Sequence, residues 1–95
     1  MSVERRARIT WSPEQLNAGL PDSHESIDPA WFAPGEEGWS LVCQYAISPR
    51  QQGSPSIARV HFWIAEAPHE RLVPGALLRM FERGTAKEAT VEILE

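Results

Sequence analysis

Alternation of apolar and polar positions dominates this chain, and alternation predicts strands. In VERRARITW, Val3, Ala7, Ile9 and Trp11 share one parity with Arg5, while Glu4, Arg6, Arg8 and Thr10 take the other. That is the pattern of a half-buried strand. Trp39, Leu41, Cys43, Tyr45 and Ile47 alternate with Ser40, Val42, Gln44 and Ala46 and predict a second strand. In IARVHFWI, Ala58, Val60, Phe62 and Ile64 point inward, and Arg59, His61 and Trp63 point outward. KEATVEIL sets Ala89, Val91 and Ile93 inward. The segment SPEQLNAG reads instead as a short helix. Ser12 caps it, Pro13 suits its first position, Gln15 stands at the spacing of a capping box, and Gly19 ends it.

Between these elements the pattern weakens. Residues 20–38 hold three prolines and two glycines without a sustained period, so they read as a long loop pinned to the core by Trp31 and Phe32. SPRQQGSPS reads as a polar connection. GALLRMFER is open on local grounds. Leu77, Met80 and Phe81 have helical spacing, but a strand with Leu78 and Met80 on one side and Leu77, Arg79 and Phe81 on the other fits equally.

Ninety-five residues make one domain over 1–95, with a strand, helix and loop in 1–38 and the alternating region in 39–95. The hydrophobic fraction of 42% is that of a folded chain. No apolar run approaches a membrane span, and the charged MSVERRARIT, with no apolar stretch after it, does not read as a secretory signal. Cys43 is the single cysteine, which rules out an internal disulfide and points to a reducing cytoplasm. It shares parity with Leu41 and Tyr45, so a buried, unreactive thiol is expected. The net charge is −4; Arg5, Arg6 and Arg8 against Glu4 give the first eleven residues +2 and leave −6 on the rest. An acidic body disfavours nucleic acid, and any RNA contact would fall to Arg5, Arg6 and Arg8 on a short N-terminal arm, with Arg59.

The residues Ala58, Val60 and Phe62, then Leu72, Pro74 and Gly75, then Leu78 and Met80, Glu82 and Gly84 at a turn, and Val91 and Ile93 at the end follow a recurring order. Over about 39–95 this order resembles the C-terminal β-barrel domain of elongation factor Tu-type translational GTPases. The resemblance implies an all-β, six-stranded antiparallel barrel, with the short helix near its start. It also makes 76–83 a strand, with Gly75 and Gly84 at the turns bounding it. The earlier Gly-Arg and Gly-Tyr-Arg-Pro elements of that family have no clear counterpart, and no G-x-x-x-x-G-K-[ST] is present, so nucleotide hydrolysis does not carry over.

Catalytic chemistry finds little support. His61, Glu66, His69 and Glu70 offer ligand types within ten residues, but without HExxH spacing and with Arg71 adjacent, so no metal or cofactor is expected. No Gly-x-Ser-x-Gly elbow is present, and the Glu36–Glu37 pair, set between Gly35 and Gly38, reads as solvated charge. The informative set is outward. Arg59, His61 and Trp63 form one aromatic and cationic row, and Leu77, Arg79 and Phe81 join it if the two strands are neighbours. In the family resembled, this outer wall packs on other domains and contacts tRNA. The expectation is therefore a non-catalytic barrel that recognises a protein partner through these six residues. RNA binding stands second and a small metal-dependent enzyme last. The alternative is that Trp11, Leu16, Trp31 or Phe32 folds over the wall and makes it ordinary core.

Overall fold

A computed structural model describes residues 4–81 and 88–95. Six strands form: β1 (Arg5–Trp11), β2 (Glu25–Trp31), β3 (Trp39–Gln44), β4 (Ser56–Phe62), β5 (Leu77–Phe81) and β6 (Glu88–Ile93). Two short helices, α1 (Pro13–Ala18) and α2 (Pro49–Gln52), and a 3-10 turn over His69–Arg71 lie between them. The strands close into an antiparallel barrel in the order β1-β4-β3-β2-β5-β6, the fold that alternation and resemblance imply. Closure gives every strand a ladder partner on both sides, the β2–β5 ladder among the described residues being Ala30–Met80 and Trp31–Arg79.

The inward parities are as read. Ala7, Ile9 and Trp11, Leu41, Cys43 and Tyr45, Ala58, Val60 and Phe62, Leu78 and Met80, and Ala89, Val91 and Ile93 are all buried. β5 is a strand, and its Leu77, Arg79 and Phe81 face outward. The buried indole N–H of Trp11 donates to Ser56 Oγ at 2.9 Å, which satisfies the one polar group that side chain brings into the core.

Four local expectations need correction. First, 20–38 is not a continuous loop, because β2 runs through it. Pro29 is tolerated there because of its register. It pairs with Ser40, whose carbonyl accepts from Trp63 N–H at 3.0 Å and so faces β4. Pro29 thus occupies a non-hydrogen-bonded pair with β3, where its missing N–H costs no bond to that strand. Second, Ile47 and Ile64 are exposed, because β3 ends at Gln44 and β4 at Phe62. After Gln44 the chain turns into α2, capped by the Ser48 hydroxyl accepting from Gln51 N–H. Third, the capping box of α1 is half made. Ser12 Oγ accepts from Gln15 N–H at 3.2 Å, but Ser12 N–H is taken by the Glu88 carbonyl at 2.9 Å. The Gln15 side chain therefore turns forward and donates to the Gly19 carbonyl at 3.0 Å. Fourth, Arg5, Arg6 and Arg8 are not on an arm, because β1 is built into the barrel between β4 and β6.

The strand order determines how the barrel is stoppered. β4 and β5 lie three places apart in a ring of six, on opposite walls. Their antiparallel neighbours place the end of β4 and the start of β5 at the same end of the barrel, so residues 63–76 must cross that end. Leu72 and Ala67 on this crossing are buried in the core cluster. Arg5, which has inward parity, reaches up and donates through Nε to the Leu72 carbonyl at 3.0 Å.

Gly75, where the crossing meets β5, has φ +89°, a left-handed conformation that non-glycine residues rarely adopt. Gly75→Val is therefore expected to cost more than the roughly 0.5–1 kcal/mol of a propensity change, read from urea unfolding. Gly84 lies outside the described residues.

Burial governs the ionisation of the core pair Cys43 and Tyr45. Desolvation pushes the Cys43 thiol up to about 12, and burial, then the neighbouring Cys43, raises the Tyr45 phenol as well. Both are held in the neutral form while the unfolded chain ionises near ordinary values. Their contribution is intact below about pH 9 and is lost as pH rises from there toward 12. The unfolding midpoint is expected to fall across this window, and to fall less in Cys43→Ala and Tyr45→Phe. A thiol reagent at pH 8 should label Cys43 only as the protein unfolds; rapid native labelling would refute the register.

Candidate functional site

The six outward residues do not form one face. Arg59, His61 and Trp63 belong to β4 and the residue after it, and Leu77, Arg79 and Phe81 to β5, so they stand on opposite walls. Each row has a different setting.

On the β4 wall, Arg59 Nη1 lies 3.3 Å from Glu4 Oε1, and His61 pairs in register with Val42. Trp63 is 64% exposed, so the alternative in which Trp11, Leu16, Trp31 or Phe32 covers it does not hold; Trp11 is in the core and Leu16 is itself exposed. Below this row, past the end of the β3–β4 ladder at Gln44 and Arg59, an open groove of about 820 Å³ is lined by Arg6, Arg59, Tyr45, Ile57 and His24, among others. Arg6 and Arg59 are directly opposed across the β1–β4 ladder. Each has an exposed carboxylate partner, Glu95 at 3.0 Å for Arg6 and Glu4 for Arg59, so their repulsion is offset locally. Arg8 likewise meets Glu92 at 3.4 Å.

The β5 wall gathers more. Trp31 pairs with Arg79 across β2 and β5, and its ring meets Phe81 edge-to-face, with centroids 5.1 Å apart. Trp31, Phe32, Ala33, Pro34, Gly35, Arg79 and Phe81 line a cleft of about 290 Å³. Gly38 forms the seat of the indole. A Cβ there would stand 2.6–2.8 Å from three of its ring atoms, so only glycine lets the ring lie this close to the backbone. Arg79 is 66% exposed, and its ion pair with Glu88 is long at 3.9 Å. Leu77, at the head of the strand, is 56% exposed.

The residues that sequence reasoning assigned elsewhere are Trp31 and Phe32. The sequence predicts both as pins into the core, and Phe32 does meet Phe62 at 5.9 Å. Trp31 instead builds the outer cleft. The signal that finds it is strand parity: once 25–31 is a strand with Ala30 buried, Trp31 must face out.

The polar cluster at 66–71 turns out to be a clasp. His69 Nε2 lies 3.0 and 3.1 Å from the Ile64 and Ala65 carbonyls, so it carries the proton. Its ring packs on Phe62. Arg71 stacks over Phe32 at 4.0 Å and pairs with Glu36 at 2.7 Å, tying the crossing to the β2–β3 loop. That pairing raises the Arg71 pKa further. Glu36 is thus a partner in an ion pair, while Glu70 is exposed. Among the described residues the buried His61 Nδ1 and His69 Nδ1 have no hydrogen-bond partner. Among the described residues no three His, Cys, Asp or Glu side chains are grouped to hold a metal, and no helix is long and apolar enough to cross a membrane.

Comparison with known proteins gives no family: no protein-family model, no curated protein and no solved structure matches this chain.

Proposed function

We propose that this protein is a non-catalytic β-barrel binding module, acting in the cytoplasm, whose partner is another protein and whose contact surface is the β2–β5 outer wall. The observation that carries this reading is the cleft of Trp31, Phe32, Pro34 and Phe81 flanked by exposed Arg79 and Leu77. Aromatic and arginine side chains around an apolar depression are the composition of interface hot spots. The resemblance of 39–95 to the last barrel of translational GTPases agrees with it, since that barrel's outer wall packs on other domains.

A second reading, RNA binding, draws on the opposed Arg6 and Arg59 at the groove beside β4. Their carboxylate partners and the net charge of −4 weigh against it.

Affinity capture from a native extract, compared across variants, tests the proposal. Leu77→Asp should abolish retention of the partner, with the unfolding midpoint unchanged. Trp63→Ala, on the opposite wall, should leave both retention and midpoint unchanged, because exposed substitutions move stability by only about 0.5 kcal/mol. Retention that is lost with Trp63→Ala and kept with Leu77→Asp would move the interface to β4. Retention abolished by ribonuclease would favour the RNA reading instead.

A further inference from the structure

Resting on that reading, the cleft's own chemistry narrows the partner. Among the described residues its lining includes two side chains that carry a polar group, Trp31 and Arg79, and both groups are donors. The indole N–H makes no hydrogen bond to the described residues. The other lining side chains are apolar or absent. A segment rich in backbone N–H groups would bring donors to a surface whose side chains offer no acceptor.

We propose that the β2–β5 cleft binds an extended, proline-containing peptide segment that carries a carboxylate next to its prolines. Proline has no N–H and keeps its carbonyl, so such a segment presents acceptors with few donors. In the polyproline II conformation it makes no internal hydrogen bonds, which leaves those carbonyls free for the indole N–H. Its rings are flat enough to lie against Trp31, Phe32 and Phe81, and its preset backbone loses little entropy on binding. The carboxylate answers Arg79. That guanidinium is 66% exposed, and at 3.9 Å its pairing with Glu88 falls short of the two-pronged geometry a free carboxylate can adopt.

Another mode of peptide recognition fits less well. Strand addition needs an open sheet edge, and beside the cleft β2 and β5 already pair with each other through Ala30–Met80 and Trp31–Arg79. Phe81 and Gly38 also hold the indole from two sides in the free protein.

Selection of random dodecapeptides displayed on phage, against the intact immobilised protein, tests this without presuming a sequence. The expected result is enrichment of peptides with two or more prolines and a nearby Asp or Glu. Titrating the most enriched peptide, made synthetically, should shift the Trp31 indole N–H resonance and leave that of Trp63 in place. Arg79→Ala should weaken that peptide about tenfold, the size of a charge-assisted contact. Amidating the peptide's acid should weaken binding to the wild type alike, and have little further effect on the variant. Enriched sequences without proline, shifts confined to Trp63, or no enrichment would each overturn the proposal. A partner lost with Leu77→Asp but not displaced by the peptide would also overturn it, while leaving the wall as the protein interface.

Discussion

Truncating Phe62 to alanine is expected to cost about 3–5 kcal/mol, a large share of what a domain of this size has. The residue ends β4, is 1% exposed, and sits where three parts of the fold meet. It pairs with Leu41 of β3, takes the edge of Phe32 from the β2–β3 loop and receives the His69 ring from the crossing. The cavity left by alanine would lie under both segments that close this end of the barrel, so neither can collapse into it without releasing the other. Urea unfolding followed by tryptophan fluorescence measures the loss. A value below about 1 kcal/mol would mean that the crossing is held by its polar clasp rather than by this ring. Arg71→Ala gives the comparison: its ion pair with Glu36 is exposed on both sides and should be worth far less.

The second large effect is expected at Gly38. Its substitution by valine places a branched side chain where Trp31 Cε2, Cζ2 and Nε1 stand within 2.6–2.8 Å of the Cβ position. The indole must leave its seat, and in leaving it breaks the edge-to-face contact with Phe81. Overpacking of this kind costs about 1–3 kcal/mol. The functional consequence should exceed the stability loss, since the displaced ring is one wall of the cleft. The indole resonance of Trp31 should move, and peptide binding should disappear, while the barrel still folds. Combining the change with Trp31→Ala separates steric conflict from a backbone effect. If the clash is the cause, the double variant should be less destabilised than the sum of the two single ones. Strict additivity would place the effect of Gly38 in the loop itself.

Strands were legible where one face was apolar and the other polar, because a period of two leaves no other way to bury that face. The inward rows of β1, β3, β4 and β6 were read this way. β2 was hidden because its polarity is inverted. Ser26 and Asp28 share parity with buried Ala30, while Ile27, Pro29 and Trp31 take the outer face. The interior accepts this because Ser26 Oγ lies 3.4 Å from the Tyr45 hydroxyl, giving each a polar neighbour. The site followed the same logic. Arg79 and Phe81 were visible as outward residues of an alternating run, but Trp31 could not be placed beside them while its own strand was missing. Strand order was equally out of reach. Alternation fixes which way a residue faces and says nothing of which wall it is on, so two rows on opposite sides looked like one.

The seam between β1 and β6 bears on how the chain reaches this state. Ala7 faces Ile93 and Arg8 faces Glu92, so the first strand is sealed by the last. No local event can make that junction. It waits until the other strands have brought both ends together, and barrels dominated by such distant pairings fold in milliseconds to seconds rather than microseconds. Until β6 arrives, β1 offers an unpaired edge, and on the ribosome that interval lasts for as long as the rest of the chain takes to be made. Slower elongation or removal of β6 should therefore send the nascent protein toward aggregates by exposing that edge.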